Sequence, residues 1–277
     1  MAEVLTPSLR AKDYKSQIPP VWCPGCGHFA VLSALTKALA YLKLPKDRLA
    51  LISGIGCSSR LPAYLDTYGF HGVHGRALAV AAGLKTARPD LIVIAAGGDG
   101  DGFSIGGNHF LHACRRNMDF TYIVMDNEVY GMTKGQASPT TQPDWTRSKL
   151  TPHGTGVRRF QPPAIALAAG ASFIARGFSG DPTGLSKLLV EAIQHPGFAF
   201  VHVLSPCQTF RPEQRAWKQQ VHACSLGATD DPARAAELIH RDDGMALGLF
   251  YAQRLPVWQP KLARRTSLAT IEEAFRL

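Results

Sequence analysis

Cysteines and short acidic motifs are the features of this sequence best suited to chemistry. Cys23 and Cys26 form a Cys-x-x-Cys pair, and the other four cysteines are isolated in the chain: Cys57, Cys114, Cys207 and Cys224. In a cytosolic protein such a pair more often binds a metal or takes part in redox chemistry than forms a structural disulfide. The pair therefore predicts a metal or redox site, which other cysteines must complete.

The acidic motifs follow two apolar runs. Asp99 lies in a Gly-Asp-Gly motif after the run 91–96, and Asn127 follows the run 120–125 after one aspartate. Each run has the length and branched side chains of a buried parallel strand, and one crossover helix fits between them. Asp99 and Asn127 should then meet at the sheet edge where open α/β folds bind ligands. Two oxygen ligands beside permissive glycines suit a Mg²⁺ ion that holds a diphosphate.

Further periodic segments extend this unit to an α/β fold, which is a mostly parallel sheet with helices on both faces. Strands are predicted at 49–53, 173–175 and 198–204, and helices at 29–42, 77–87, 163–171 and 185–195. We predict one domain over residues 1–210. Residues 211–277 alternate charged and apolar side chains without a clear strand, and they predict a helical or irregular C-terminal extension.

The predicted strands bring two of the isolated cysteines to the same sheet edge. Cys57 lies in a glycine-rich turn after the strand 49–53, and Cys207 follows the strand 198–204. The loop with the Cys-x-x-Cys pair can close over that edge. Four thiolates there would bind either Zn²⁺ or a [4Fe–4S] cluster, and their spacing does not distinguish the two. Cys224 is the main alternative to Cys207, whereas Cys114 reads as a small buried hydrophobic residue.

Composition restricts the other classes of function. The chain has 277 residues, is 45% hydrophobic and carries a net charge of +9. It has neither an apolar run of about 18 residues nor the pattern of a signal peptide, so we expect a cytoplasmic protein without a membrane span. Basic residues do not alternate with aromatic ones, which argues against nucleic-acid binding. The charge suits a diphosphate, an acidic substrate or an acidic protein partner.

The acidic motifs resemble the metal-binding signature of thiamine diphosphate enzymes. That signature is Gly-Asp-Gly and then, after a gap of similar size, Asn-Asn; here Asp126-Asn127 replaces the second pair. The resemblance implies that Asp99, Asn127 and the backbone carbonyl of Val129 bind Mg²⁺. It also favours a [4Fe–4S] cluster over Zn²⁺ at the cysteines, because a cluster beside thiamine can accept electrons and Zn²⁺ cannot.

Five motifs between residues 20 and 210 together resemble the beta subunit of the 2-oxoacid:ferredoxin oxidoreductases, most closely the two-subunit 2-oxoglutarate type. They are Trp22-Cys-Pro-Gly-Cys-Gly, Gly54-Ile-Gly-Cys-Ser-Ser, His71-Gly-Val-His-Gly-Arg, Gly98-Asp-Gly-Asp and Thr133-Lys-Gly-Gln-Ala-Ser-Pro-Thr-Thr. The resemblance implies a [4Fe–4S] cluster on Cys23, Cys26, Cys57 and Cys207. It also implies a thiamine diphosphate site formed by Ile55, Gly56, Cys57, Ser58, His74, Gly98, Asp99, Gly100, Asp101, Asn127, Gly131 and Met132.

Three basic residues are expected to act directly on the substrate or cofactor. Arg60 matches a family position that faces the substrate carboxylate, and His74 is expected to donate a hydrogen bond to the diphosphate. Lys134 is expected to belong to a lid over the cofactor. Each has a simpler alternative: Arg60 as a surface cation, His74 as a core or loop histidine, and Lys134 as a solvated loop residue.

The reaction implied is oxidative decarboxylation of a 2-oxo acid, with coenzyme A receiving the acyl group and ferredoxin the electrons. We expect 2-oxoglutarate and succinyl-CoA; pyruvate or broad specificity is the alternative. One diphosphate-type sheet leaves no pyrimidine domain, so an alpha subunit should supply it, in a heterotetramer of two alpha and two beta chains. Two other hypotheses are a thiamine-dependent decarboxylase or acetolactate synthase fragment without redox function and a Zn-stabilised, non-catalytic interaction subunit.

Overall fold

The fold is built around an eight-stranded sheet. The computed structural model describes residues 9–224, 227–260, 267, 270 and 273–274. Strands β1 to β8 are Leu49–Ser53, Tyr68–His71, Ile92–Gly98, Phe120–Asp126, Phe173–Phe178, Phe198–Leu204, His222–Ala223 and Ala246–Ala252. Helices α1 to α8 are His28–Tyr41, Ala77–Ala87, Asp99–Phe103, Gly107–Arg116, Pro162–Ala168, Pro182–Gln194, Trp217–Gln220 and Pro232–Arg241. Short 3₁₀ helices cover Ala11–Tyr14, Lys46–Arg48, Ser58–Tyr64 and Pro212–Ala216.

The strands lie in the order β2-β1-β3-β4-β6-β5-β8-β7. All pairs among the first six strands are parallel, β8 is antiparallel to β5, and β7 is parallel to β8. Helices α1 and α6 pack on one face of the sheet, and α2, α4, α5 and α8 pack on the other. The predicted fold class, a mostly parallel sheet with helices on both faces, is confirmed.

The central strands are mostly apolar because both faces of the sheet are covered. Every residue of β4 and β6 is buried, so neither strand shows the alternation of a half-exposed strand. Leu35 of α1 and Leu189 of α6 belong to the core on one face, and Phe110 of α4 and Phe200 of β6 to the core on the other. Because both faces of these strands are buried, they could be predicted from long apolar runs in the sequence.

The carboxyl ends of four neighbouring strands carry the chemistry-bearing residues. Cys57 follows β1, Asp99 follows β3, Asn127 follows β4 and Cys207 follows β6. The strands run in parallel with matched registers, so their ends lie at one edge of the sheet. The sheet therefore brings residues far apart in the chain to one place.

None of the described helices is long and apolar enough to cross a membrane.

The prediction that the tail lacks a strand was wrong. Residues 232–241 are helical, as expected, but Ala246–Ala252 form a strand that pairs with β5. Gly248, with φ of +134°, interrupts the apolar run, and the pairing with β5 shifts register between Leu249 and Tyr251. These interruptions hid the strand, because short apolar runs with glycine read as loops. Most of the predicted helices beyond residue 260 lie outside the described residues, and the division at residue 210 stays a prediction.

Candidate functional site

A cavity of about 470 Å³ opens at the carboxyl ends of β1, β3 and β4. Its volume lies in the range of small-molecule sites. Every residue predicted to bind thiamine diphosphate lines it: Ile55, Gly56, Cys57, Ser58, His74, Gly98, Asp99, Gly100, Asp101, Asn127, Gly131 and Met132, together with Val129. His28, Tyr130, Thr133 and Gln136 also line the cavity. His28, which sequence reasoning left without a role, is buried and lies 2.8 Å from the hydroxyl of Ser205.

Asp99 begins α3 at the floor of this cavity and is only 2% exposed. Its Oδ2 lies 2.9 Å from the hydroxyl of Thr140, and the same hydroxyl lies 2.8 Å from Oδ1 of Asp126. Two buried carboxyl groups thus share one hydroxyl hydrogen. Burial and the neighbouring charge of Asp126 raise the pKa of Asp99 well above its usual value. A cation beside Asp99 would compensate this crowding of negative charge.

The turn after β4 presents further oxygen atoms to the cavity. Glu128 has φ of +52°, and the side-chain oxygen of Asn127 accepts a hydrogen bond from the backbone N–H of Val129 at 3.2 Å. Asn127 and Val129 line the same cavity as Asp99. A carboxylate, an amide and a backbone carbonyl are oxygen donors of the type that Mg²⁺ prefers. The residues present therefore fit a Mg²⁺ ion bound to a diphosphate.

Asp101 forms hydrogen bonds to two turns that border the cavity. Its Oδ1 accepts hydrogen bonds from the backbone N–H groups of Ile55 at 2.9 Å and Gly75 at 2.7 Å, and Nδ1 of His74 lies 3.2 Å away. Burial raises the pKa of this carboxyl group. Gly54 is required beside it, because a Cβ atom there would lie 2.1 Å from Oδ2 of Asp101. Asp101 thus orients His74 at the cavity wall.

A second cavity, of about 180 Å³, is lined by Cys23, Cys26, Cys57 and Cys207. All four are free thiols; Cys23 is exposed and the other three are partly buried. The two cavities share part of their lining, namely Cys57, Asn127, Gly131 and Met132. The predicted cysteine set and the predicted diphosphate site therefore lie on opposite sides of one wall.

Four thiols that line one cavity supply the ligand type of either a Zn²⁺ ion or a [4Fe–4S] cluster. Among the described residues, no three His, Cys, Asp or Glu side chains are close enough to hold one metal ion. Zn–S bonds of about 2.3 Å would require thiolates about 3.8 Å apart, whereas a [4Fe–4S] cluster takes its four cysteines on different irons and spans more space. Burial raises the pKa of Cys26 to about 12 and also raises that of Cys57. A cationic iron centre would compensate their ionisation.

The other two cysteines lie elsewhere. Cys224 lies beside β8, where its backbone N–H donates to the carbonyl of Leu247, and it lines a separate cavity with His222 and Arg241. Cys114 is fully buried in α4, and burial raises the pKa of its thiol. The structure therefore brings Cys207, and not Cys224, to the other three cysteines.

Two of the three predicted catalytic cations lie outside the main cavity. His74 lines it, but Arg60 is exposed and lines the cysteine cavity instead. Lys134 is exposed, has φ of +78° and lines neither of these two cavities, although its neighbours Thr133 and Gln136 line the larger one. The structure thus brings only His74 directly to the predicted cofactor site.

Sequence reasoning missed a buried glutamine that joins the two cavities. Gln214 is 1% exposed; its Oε1 accepts a hydrogen bond from the backbone N–H of Cys207, and its Nε2 donates to the carbonyl of Asn127, both at 2.9 Å. Nearby, Arg211 donates to the backbone and side chain of Glu128. No motif marks these tail residues, and only their closeness in sequence to Cys207 was a clue.

Comparison with known proteins places this geometry among related chains. Residues 54–203 match the family model for the thiamine pyrophosphate enzyme, C-terminal TPP binding domain. The 2-oxoglutarate oxidoreductase subunit KorB of Mycobacterium tuberculosis is 47% identical over 201 residues, which are 73% of this chain and 54% of that protein. The chain thus spans about half the length of this relative. The 2-oxoacid:ferredoxin oxidoreductase 2, subunit beta, of Aeropyrum pernix is 39% identical over 86% of this chain and 82% of its own.

A solved structure matches over nearly the whole chain. It is a 2-oxoglutarate:ferredoxin oxidoreductase from Magnetococcus marinus with 2-oxoglutarate, coenzyme A and succinyl-CoA bound. The TM-score is 0.89 at 42% sequence identity, covering 98% of this chain and 92% of the other.

Proposed function

This chain belongs to the family of 2-oxoacid:ferredoxin oxidoreductase beta subunits, and from that premise we propose that it oxidatively decarboxylates 2-oxoglutarate together with an alpha subunit. The products would be succinyl-CoA, CO₂ and reduced ferredoxin. Similar chains named for 2-oxoglutarate support this substrate. A relative named for 2-oxo acids in general supports pyruvate or broad specificity as the second candidate.

The wall shared by the two cavities is the observation that carries the proposal. Cys57 and Gly131 line both cavities, and a Cβ atom on Gly131 would lie 3.5 Å from Sγ of Cys57 and 4.0 Å from Sγ of Cys207. The residues of this wall would separate a thiamine ring in one cavity from a [4Fe–4S] cluster in the other, and the cluster would supply one-electron acceptor chemistry. A decarboxylase without redox function would have no use for the second cavity.

In this proposal the chain's own residues hold and orient the cofactor. Asp99, Asn127 and the carbonyl of Val129 would hold the Mg²⁺ of the diphosphate. His74, fixed by Asp101, would donate to an anionic group in the cavity. When bound, thiamine diphosphate supplies the carbanion chemistry that releases CO₂ from a 2-oxo acid.

Two exposed cations are proposed to act on the substrate. Arg60, on the cysteine cavity near the shared wall, would pair with a substrate carboxylate. Lys134 would belong to a lid, since its loop includes cavity residues Thr133 and Gln136. The partners proposed are an alpha subunit with the pyrimidine domain and a ferredoxin, in a cytoplasmic heterotetramer of two alpha and two beta chains.

Iron and acid-labile sulfide analysis of the anaerobically purified complex tests the proposal. We expect about four iron atoms and about four sulfides per beta chain. Stoichiometric zinc in their place would favour the non-catalytic interaction subunit. Absence of all three elements, with thiamine diphosphate bound, would favour a decarboxylase without redox function.

Asp99→Ala should weaken thiamine diphosphate binding in the presence of Mg²⁺ at least tenfold, or about 1.4 kcal/mol. The substitution removes an anionic oxygen ligand and leaves the diphosphate charge less compensated. Calorimetric titration of the cofactor-free complex measures the change. Asp90→Ala is the matched control, because Asp90 is exposed and pairs with Arg88 at the surface. Equal affinities in the two variants would contradict the assignment of Asp99.

Gln214→Leu should destabilise the turns on both sides of the shared wall. The variant leaves the N–H of Cys207 and the carbonyl of Asn127 buried without a partner, and each orphaned group costs roughly 1–3 kcal/mol. Urea unfolding should show the loss, and iron should be released faster during dilution. Gln219→Leu is the control, because Gln219 is exposed on α7. Equal stability of the two variants would show that the bridge by Gln214 is unimportant.

A further inference from the structure

A chain of buried polar side chains leads from the tail to the floor of the main cavity. Arg176 of β5 is 2% exposed, and its Nε donates to Nδ1 of His202 at 3.1 Å. Nε2 of His202 lies 2.8 Å from Oδ2 of Asp126. The other oxygen of Asp126 shares the hydroxyl of Thr140 with Asp99. An unbroken series of hydrogen bonds thus connects β5 with Asp99.

The direction of these hydrogen bonds follows from the chemistry of arginine. A guanidinium Nε–H can only donate, so Nδ1 of His202 must be the acceptor. Burial lowers the pKa of His202 and thus favours the neutral ring, whose single N–H then lies on Nε2. His202 therefore donates to Asp126. Because Asp126 already accepts a hydrogen bond from His202, the one hydroxyl hydrogen of Thr140 is available to Asp99.

Three residues of the tail contact the guanidinium group of Arg176. Its Nη1 donates to Oδ2 of Asp242 at 2.5 Å and to the carbonyl of Ala246 at 3.2 Å. The guanidinium carbon also lies 5.2 Å from the ring centre of Phe250. Both charged side chains of the ion pair are almost fully buried. These three contacts all come from the end of α8 and from β8.

We propose that residues 242–250 of the tail position Asp99 for its metal ion through this buried series of side chains. The inference rests on the proposed function, because it takes Asp99 to be a Mg²⁺ ligand. Thr140 donates to Oδ2 of Asp99, and the side chain of Ser138 gives the same carboxyl group a second hydrogen bond. Without the N–H of His202, Asp126 competes with Asp99 for the hydrogen of Thr140, and the orientation of Asp99 then depends on Ser138 alone. Arg176 and His202 are thus positioning residues, through which residues 242–250 affect the metal affinity of a site several side chains away.

The test compares three variants of the complex with the alpha subunit, each freed of cofactor. His202→Leu removes the donor to Asp126, His202→Gln keeps an amide N–H for it, and Asp242→Asn weakens the hold of the tail on Arg176. His195→Leu is the control: this histidine lies 2.8 Å from Ser172 at the opposite ends of the strands. Mg²⁺ affinity at fixed thiamine diphosphate is measured by calorimetry, and thermal unfolding is recorded beside it.

We expect His202→Leu to weaken Mg²⁺ binding at least about tenfold, the lower end of the range for a ligand's direct partner, because His202 acts on Asp99 through Asp126 and Thr140. His202→Gln should stay within about threefold of wild type, and Asp242→Asn should lose at least about threefold. His195→Leu should bind Mg²⁺ like wild type even if it unfolds at a lower temperature. If His202 had only a structural role, His202→Leu would unfold at a lower temperature, and His202→Gln would not restore the metal affinity.

Wild-type Mg²⁺ affinity in His202→Leu, or equal losses in the leucine and glutamine variants, would overturn the inference. If His202→Leu does not fold, the Asp242→Asn variant provides the test. Wild-type Mg²⁺ affinity in Asp242→Asn would then overturn the inference. Failure of the wild-type complex to bind thiamine diphosphate with Mg²⁺ would instead refute the proposed function. The two failures are therefore distinguishable.

Discussion

Replacing Cys207 with serine should remove the iron–sulfur cluster and stop ferredoxin reduction. Cys207 lines the same cavity as Cys23, Cys26 and Cys57, and a serine hydroxyl ionises far less readily than a thiol. Iron should fall from about four atoms per beta chain to a small fraction of that value. Iron and sulfide analysis, with the low-temperature electron paramagnetic resonance signal of the reduced complex, measures the loss. Serine at each of the other three positions should have the same effect.

Serine at the remaining two cysteines provides the matched controls. Cys224 lines a different cavity beside β8, and Cys114 is buried in α4. Both variants should keep their iron and their electron transfer. A Cys207→Ser complex with full iron, together with an iron-free Cys224→Ser complex, would reverse the assignment of the fourth ligand.

The isolated chain should show no turnover. Its described part contains one sheet with one diphosphate-type cavity, and the apolar side chains of Val73 and Ile105, beside the turn that carries the cavity residue His74, are 64% and 52% exposed. The carboxylate that activates the aminopyrimidine should come from the alpha subunit across a large interface. We expect no 2-oxo acid-dependent dye reduction by the chain with thiamine diphosphate, Mg²⁺ and coenzyme A.

Adding the alpha subunit should restore activity, and 2-oxoglutarate should be the best substrate among 2-oxoglutarate, pyruvate and branched 2-oxo acids. The net charge of +9 suits an acidic ferredoxin, so ferredoxin reduction should slow as ionic strength rises. Reduction of a small neutral dye by the same complex is the control and should change little. Robust turnover by the isolated chain would mean that it is a complete enzyme.

Sequence reasoning succeeded where the position of a residue follows directly from a strand end. Asp99, Asn127, Cys57 and Cys207 could be placed together because each comes just after a buried apolar run, and parallel strands end at one edge. The same reasoning could not place Lys134, because the path of an irregular loop depends on contacts that no periodic pattern records. Its side chain lies outside both cavities.

The buried polar residues show a different limit. His202 lies inside a strand of apolar residues, Arg176 lies in another, and Gln214 lies in a tail without motifs. Each is tolerated only because a partner distant in sequence satisfies it, such as Asp126 for His202 and Asp242 for Arg176. Local patterns contain no information on such pairs.

The antiparallel strand β8 has a consequence for biosynthesis. β5 lies between β6 and β8, so one of its edges has no partner until Ala246–Ala252 have left the ribosome. Until then the nascent chain presents an unpaired edge with Phe173 and Ile174, which are fully buried in the finished protein. Unpaired apolar edges recruit other strands, so incomplete chains should aggregate or depend on chaperones. Premature termination within the last part of the sheet would therefore remove the subunit from the cell's soluble pool, even though every residue that lines the two cavities had already been made.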